Sequence, residues 1–532
     1  MGFSEGNVSA AGLQNGTNVL AVEVHQFDSD NPDLSFDLGL AGWLEVADAG
    51  LVRGPYLQTA TPTNLVVCWR TDLAVGGRVR YGTNPADLNL VAESLALATN
   101  HEVRLDGLTP STRFFYSVEA PPLVLAGGAE CSFITPPPVG VPKPTRVWVL
   151  GDSGTANANA QAVRDAYEQF AGTSPTDLWL MLGDNAYGSG FDHEYQRAVF
   201  EMYPTTLRQV PLWPTLGNHD WYAVQYVGHI PYLNIFRLPA QGEAGGVASG
   251  TELYYSFDYA HIHFVCLDSM SSSREPTGPM LEWLRNDLGQ TTQDWIIAFW
   301  HHPPYSRGSH NSDAEGELID MRANALPILE EFGADLVLCG HSHSYERSYL
   351  LHGHYGSSQT LAPGHILDSG DGREDGDGAY LKPAGGLGAG QGTVYTVAGS
   401  SGQTSGGSLN HPAMFISLNR LGSLVLDIVS NRLEAAFLQS DGVVADHFTL
   451  RKGAFTNGPA PAMTILRAGQ GTAVVAWPTS QLPYAMQSTP DVTVTDAWHP
   501  ATNVPWQVGG TNFIRLDTTG SNQFLRLRRQ QP

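Results

Sequence analysis

Cysteine is scarce. The 532 residues hold four, Cys68, Cys131, Cys266 and Cys339, with no C-x-x-C pair, so no cysteine-rich framework organises the chain. Cys266 and Cys339 sit in apolar runs and are expected as buried thiols. Cys68 and Cys131 lie near opposite ends of one small domain, where a disulfide is allowed but not demanded. Positive charge is also scarce: 28 Lys and Arg against 52 Asp and Glu give a net charge of −24. A phosphate backbone or an anionic membrane needs a cationic surface, so general nucleic-acid binding is excluded as a role. No apolar run approaches membrane-spanning length. The first residues, Met1 to Gly6, lack the charged and apolar regions of an export signal. That leaves a cytoplasmic chain or a fragment whose signal lies upstream; the expectation is the fragment, from a protein that is secreted, periplasmic or on the cell surface.

What is present is a loop-rich globular composition, with 42% hydrophobic and 15% charged residues, 58 Gly and 34 Pro. Residues 1–48 read as the tail of a β domain, with alternation at Leu20, Val22 and Val24 and again at Leu34, Phe36, Leu38 and Leu40. A lone hairpin is marginal in water. Residues 50–136 read as a small β-sandwich with Trp69 in its core, more a spacer than a site. Pro136–Pro138, Pro142 and Pro144 predict a stiff linker. Residues 145–452 alternate strands and helices and end all-β, which predicts an α/β region of two sheets packed face to face with flanking helices. Leu318, Met321, Ala325, Ile328 and Phe332 keep helical spacing. Lys452–Pro461 reads as a second linker and residues 463–532 as another small β module. The acidic stretch Asp371–Gly378 fails the calcium-loop pattern and reads as a solvated loop.

Five blocks carry chemistry. Gly151-Asp152-Ser153-Gly154 follows Val147–Leu150. Gly183-Asp184-Asn185-Ala186-Tyr187 follows the apolar run Leu178–Leu182. Gly217-Asn218-His219-Asp220 follows Leu212–Leu216. His301-His302 follows Ile296–Trp300, and Gly340-His341-Ser342-His343 follows Leu336–Cys339. Open α/β sheets place their sites where such strands end. Each block has a bland reading alone: Asp152 and Asp184 as helix caps, Asn218 as a turn residue, His341 and His343 as hydrogen-bonded side chains two apart on a strand. Together they supply Asp, Tyr, Asn and His at strand ends of one region, without cysteine. That donor set suits iron, zinc or manganese, and a carboxylate can bridge two metals.

The five blocks resemble the signature of the calcineurin-like metallophosphoesterases, whose fold is a four-layer α/β/β/α sandwich. Tyr187, the run Gly340 to Arg347 and a preceding domain similar to fibronectin type III narrow the resemblance to purple acid phosphatases, over about residues 50–450. Phe114 stands where fibronectin-like domains usually carry Tyr. The resemblance implies a binuclear centre. Asp152, Tyr187 and His343 would hold ferric iron. Asn218, His301 and His341 would hold a divalent zinc, iron or manganese, with Asp184 bridging. His219 and His310 would face the phosphate and the leaving group as catalytic residues. Asn311 replaces a second histidine of plant members, and Asp220 the usual Glu. Residues 16–24 resemble closing strands of galactose-binding-like jelly-rolls, and 463–532 modules that follow bacterial secreted enzymes.

The implied activity is that of an acid phosphatase, a phosphomonoesterase using hydroxide generated at two cations for in-line attack on a small phosphate ester. Two other readings stand beside it. One is a phosphodiesterase or nucleotidase of the same chemistry. The other is a non-catalytic secreted protein that binds glycans or mediates adhesion.

Overall fold

The structure is a computed structural model that describes residues 49–382 and 389–453 and short stretches between 463 and 529. The strands expected within 1–48, and most of the expected linker Lys452–Pro461, lie outside the described residues.

The strands Leu51–Gln58, Asn64–Gly82, Leu90–Asp106, Arg113–Ala120, Leu123–Ala126 and Ser132–Ile134 are joined into one sheet. Its core holds Leu65, Val67, Trp69, Val79, Leu105, Phe114 and Phe133. Phe114 stacks on Phe133 with ring centroids 5.6 Å apart and has no hydroxyl for a corner bond. Tyr116, two residues on and buried, instead donates its hydroxyl to the carbonyl of Arg208, 2.9 Å away in the next region.

That region is not held off as a spacer would be. Tyr56 and Cys68 pack into the same apolar core as the central strands of the α/β region. Tyr56 Oη donates to Ile235 O at 2.6 Å, and Gln58 Nε2 to Leu212 O at 2.8 Å. Arg53 and Arg70 both clasp the Asp192 carboxylate, at 3.0 and 2.6 Å. The allowed Cys68–Cys131 disulfide is not formed. Cys68 faces this shared core and Cys131 the sandwich interior, and all four cysteines are buried free thiols.

Residues 145–453 form two seven-stranded sheets. One is ordered Tyr255–Tyr259, Ile262–Cys266, Trp295–Trp300, Leu336–Cys339, Val394–Ala398, Tyr345–Ser348 and Met414–Leu418. The other is ordered Tyr380–Lys382, Val444–Lys452, Arg432–Gln439, Gly422–Val429, Thr145–Leu150, Leu178–Met181 and Leu212–Pro214. Ile262–Cys266, Trp295–Trp300 and Leu336–Cys339 pair in parallel, as do Thr145–Leu150, Leu178–Met181 and Leu212–Pro214 at one end of the other sheet, which requires cover on both faces and explains the unbroken apolar runs. The period-two alternation assigns each face. Trp295, Ile297 and Phe299 point into the core between the sheets; Ile296, Ala298 and Trp300 point out beneath helices Pro279–Leu288 and Leu326–Glu331. On the other sheet Trp148 stacks at 4.2 Å on Tyr167 of helix Ala158–Ala171. The order is helix, sheet, sheet, helix, as the α/β/β/α expectation has it.

The expected helix through Leu318 and Phe332 is interrupted. A π turn, Met321–Ala325, separates Gly316–Asp320 from Leu326–Glu331. It buries Arg322, whose Nη1 donates to Pro304 O and Ser312 O at 2.9 and 2.6 Å and so pins the loop that carries His310. Such one-turn bulges favour functional sites. A buried ion pair joins the two sheets: Arg347 meets Asp446 with Nε–Oδ2 at 2.6 Å and Nη2–Oδ1 at 2.9 Å, both side chains fully buried. C-terminal strands lie at Thr472–Pro478, Thr511–Asp517 and Phe524–Arg529, where the sequence placed them.

Candidate metal centre

The five blocks meet where the parallel strands of both sheets end. Their backbones are unusual. Asp152, Asp184 and His341 have φ of 56°, 51° and 66°, the left-handed region that costs a non-glycine residue of order 1–3 kcal/mol. So neither Asp is a helix cap, and His341 lies on a turn after its strand, not on the strand. Three strained residues in one place mark a site in which side-chain direction outweighs local stability. The glycines have a packing role. Gly183 takes φ 89°, and a Cβ there would stand 2.5 Å from His301 Nδ1; at Gly217 it would stand 2.2 Å from the Asp184 nitrogen.

The side chains form two groups that share Asp184. In one, Tyr187 Oη lies 3.2 Å from both Asp152 Oδ1 and His343 Nε2, which are 3.6 Å apart. In the other, Asn218 Oδ1 lies 2.9 Å from His301 Nε2 and 3.1 Å from His341 Nδ1, and the two histidine nitrogens are 3.2 Å apart. Asp184 Oδ1 is 3.4 Å from His301 Nε2, and the Asp184 charge acts on Tyr187. Asp152, Asp184 and His301 each offer a ligand atom within 4.8 Å of the others. All seven residues expected as ligands are thus brought together.

The hydrogen bonds around them test whether cations fit. His301 Nδ1 donates to Leu182 O at 2.8 Å, so its Nε2 carries a lone pair. Asn218 turns its amide nitrogen to Tyr222 Oη at 3.1 Å and leaves its oxygen facing in. His341 Nε2 faces a Glu315 carboxylate oxygen at 3.3 Å, which places its proton there and a lone pair on Nδ1. Three lone pairs therefore converge within 2.9–3.2 Å with no proton between them. This repels unless a cation stands among them, so the donor set fits a borderline metal. Burial pushes the His341 imidazole down to about 3, helped by the neighbouring histidines, so it stays neutral as a ligand must. Burial, with the Asp152 and Asp184 charges, raises Tyr187 well above an ordinary phenol; a phenolate there needs a cation beside it.

The two expected catalytic histidines stand at the rim, each with a side chain about a third exposed. His219 Nδ1 bonds Gly188 O at 2.6 Å and its Nε2 lies 4.0 Å from Asp184 Oδ2. His310 Nδ1 bonds Glu315 Oε2 at 2.8 Å, and its ring lies 3.7 Å from that of His341. Glu315 thus touches both His310 and His341, and its carboxyl is held down to about 2, because hydrogen bonds from His341, Asn311 and His310 outweigh burial. His302 bonds Ser269 Oγ at 2.8 Å through Nδ1 and lies behind His341, with a ring nitrogen within 4.8 Å of ligand atoms of His301 and His341. The two departures from the family pattern are structural here. Asp220 is buried and accepts from Gly217 N, Asn185 N, Asn185 Nδ2 and Tyr195 Oη, tying two of the turns together. Asn311 shapes its own turn by accepting from Asp313 N at 3.0 Å.

Sequence reasoning missed Glu315, Gln403 and Ser405. Ser405 Oγ lies 2.7 Å from His343 Nδ1, and Gln403 Nε2 lies 3.3 Å from His343 Nε2. The signal was a sixth block: Gly399-Ser400-Ser401-Gly402-Gln403 follows the strand Val394–Ala398 just as the other blocks follow theirs.

Fold and site define the class, and comparison with known proteins agrees. Residues 145–345 match the model of the calcineurin-like phosphoesterases, a family of metal-dependent hydrolases. Residues 54–135 match that of the purple acid phosphatase N-terminal domain. The chain is thus similar to the purple acid phosphatases, and the matched domains support a metal-dependent phosphoric monoester hydrolase. It is 25% identical over 308 residues to probable purple acid phosphatase 20 of Arabidopsis thaliana, covering 55% of this chain and 68% of that one. It is 29% identical over 314 residues to purple acid phosphatase 15 of the same plant, covering 51% of this chain and 56% of that one. The purple acid phosphatase of yellow lupin seeds shares the fold, with a TM-score of 0.55 at 16% identity over 79% of this chain and 77% of that one. Among the described residues, no helix is long and apolar enough to cross a membrane.

Proposed function

We propose that the seven residues hold a binuclear centre that hydrolyses small phosphate monoesters, with Asp152, Tyr187 and His343 around ferric iron, Asn218, His301 and His341 around divalent zinc, iron or manganese, and Asp184 between. The observation that carries this reading is the convergence of lone pairs at Asn218 Oδ1, His301 Nε2 and His341 Nδ1. Two cations held there would supply Lewis acidity to the phosphoryl oxygens and to a bound water.

The chain's own residues do the rest. Leu182 O and Glu315 fix the rings of His301 and His341 so that their inward nitrogens carry lone pairs, and Ser405 holds the His343 ring in place. His219 and His310 each engage Nδ1 with an acceptor, Gly188 O and Glu315. Nε2 is then the nitrogen that meets the substrate, and it can donate only when the ring is protonated. With Nε2 turned to the substrate, His310 is placed to give a proton to the departing alkoxide. Their exposure at the rim suits a small ester reaching the centre from solvent.

Metal analysis and phosphate release on one sample test the reading. Near two equivalents of metal per chain are expected, with an alkyl monoester cleaved faster than the corresponding diester. The oxidised iron-loaded protein should absorb visible light, and Tyr187→Phe should bleach it. A chain without stoichiometric metal refutes the centre. Faster cleavage of the diester assigns a phosphodiesterase instead.

A further inference from the structure

The block that sequence reasoning missed places an uncharged donor where no metal ligand is needed. Gly399 and Gly402 let this loop lie directly on the site: a Cβ at Gly399 would stand 2.9 Å from Asp152 Oδ2, and at Gly402 2.6 Å from Asp152 O. Beyond Gln403 the loop is tied at two further points. Ser405 N donates to His343 O at 3.2 Å, and Leu409 N to Arg307 O at 2.8 Å, on the loop that leads to His310. The half-buried Gln403 side chain is therefore presented by backbone anchored to three of the site's turns.

Its carboxamide is aimed at one place. Nε2 lies 3.3 Å from His343 Nε2, which itself stands 3.2 Å from the Tyr187 hydroxyl. Those two atoms are ones the proposed centre would use as ligands. A cation cannot share their lone pairs with N–H donors. Once it takes them, the two amide hydrogens of Gln403 face the next negative atom on that side, an oxygen drawn in by the cation. No carboxylate from this loop competes, since Gln403, Thr404 and Ser405 are all neutral.

We propose that Gln403 binds a non-bridging oxygen of the substrate phosphoryl group on the Asp152–Tyr187–His343 side of the centre, and so orients the ester there. This rests on the binuclear reading. The bond is a neutral donor to a charged acceptor, and its loss is expected to weaken phosphate binding roughly ten- to hundred-fold. The test uses the metal-loaded full chain as wild type, Gln403→Ala and Gln403→Glu. Inorganic phosphate is titrated calorimetrically, and metal content, thermal midpoint, KM and kcat for an alkyl monoester are measured on the same preparations. The expected result is metal content and midpoint as in wild type, with the phosphate Kd and KM both raised by about ten-fold or more in Gln403→Ala. Gln403→Glu should bind phosphate more weakly still, because its carboxylate opposes the anion. Unchanged Kd and KM in both variants would overturn the assignment, as would a loss confined to kcat, or metal lost in step with activity. A wild type that holds no metal would refute the centre itself. A metal-loaded, active wild type with indifferent Gln403 variants removes Gln403 alone.

Discussion

Asp446→Asn should destabilise the α/β region by about 3–5 kcal/mol, the usual result of leaving a buried charge unpartnered. The geometry puts the pair at the strong end. Arg347 and Asp446 are fully buried and meet through two parallel N–H···O bonds of 2.6 and 2.9 Å. Tyr345 Oη and Arg373 donate to the same carboxylate at 2.8 and 3.2 Å, while Arg347 also lies over the Phe415 and Phe448 rings. Loss of the carboxylate charge strands the Arg347 cation between the sheets. A fall of roughly 10 °C in the thermal midpoint should follow. Burial alone would raise the Asp446 carboxyl, but the hydrogen bonds and charge of Arg347 outweigh it and hold it below the ordinary range. Its contribution is therefore fully present above the unfolded value of about 4 and is lost only as pH falls through the lower folded value, so it persists in mild acid. Strand Tyr345–Ser348 starts two residues after His343, so the variant should also release metal more readily to a chelator. The assay is denaturant unfolding of Asp446→Asn, of Arg347→Met and of the double variant Arg347→Met/Asp446→Asn. The double should recover much of the loss, since no charge then remains unpaired. A cost for Asp446→Asn under about 1 kcal/mol, or a double variant as unstable as the sum of the singles, would refute the argument.

Asp184→Asn should lose both activity and stoichiometric metal, as read by metal analysis and phosphate release; wild-type turnover with a full complement would sink the shared position. His310→Ala should keep its metal but slow alkyl esters more than activated aryl esters, because an acid matters most for the most basic leaving group; equal slowing would reduce His310 to a binding residue. His263 is buried between Asp258 and Asp287, at 2.8 Å from each. Burial would lower it, but those two hydrogen bonds push it up to about 9. A raised value stabilises fully below the unfolded value of about 6.5 and is lost as pH rises through the folded one. On the order of 3 kcal/mol should therefore disappear between about pH 6.5 and 9 in wild type, and unfolding curves of His263→Gln should show no such slope in that window.

Much of the centre was legible because its ligands are local to strand ends. Asp152, Asp184, His301 and His341 each follow a strand dense in apolar residues, and the parallel pairing of those strands brings their ends together. The strands themselves were legible for the same reason, to within a residue or two. What was not legible acts across long sequence separations or by neutral side chains. Glu315 earns no attention from spacing, because its partners His341 and His310 are set by the π turn and by Arg322, and the periodicity read there was that of an uninterrupted helix. Gln403 and Ser405 are not metal ligands, so a search for ligand types passes over them. Asp220 was read as a change near the chemistry, yet its neighbours Gly217, Asn185 and Tyr195 make it a brace. The packing of the sandwich on the α/β region depends on surface matching that no local pattern records.

That packing decides where a working unit can be cut. The loop that bears Tyr187 is braced at one point by Glu194, which accepts from Gly188 N, Ser189 N and Phe191 N, and at another by Asp192 in the grip of Arg53 and Arg70. Arg53 and Arg70 belong to the sandwich, and Tyr187 belongs to the centre. An excised α/β region would keep every ligand and still lose the outside hold on the shortest path between a ligand and the rest of the protein. It would also bare the Tyr56 pocket and the carbonyls of Ile235, Leu212 and Arg208. Residues 49–136 therefore serve as an outer support of the loop that bears Tyr187, and a cut at residue 136 would remove that support while leaving every expected ligand in place.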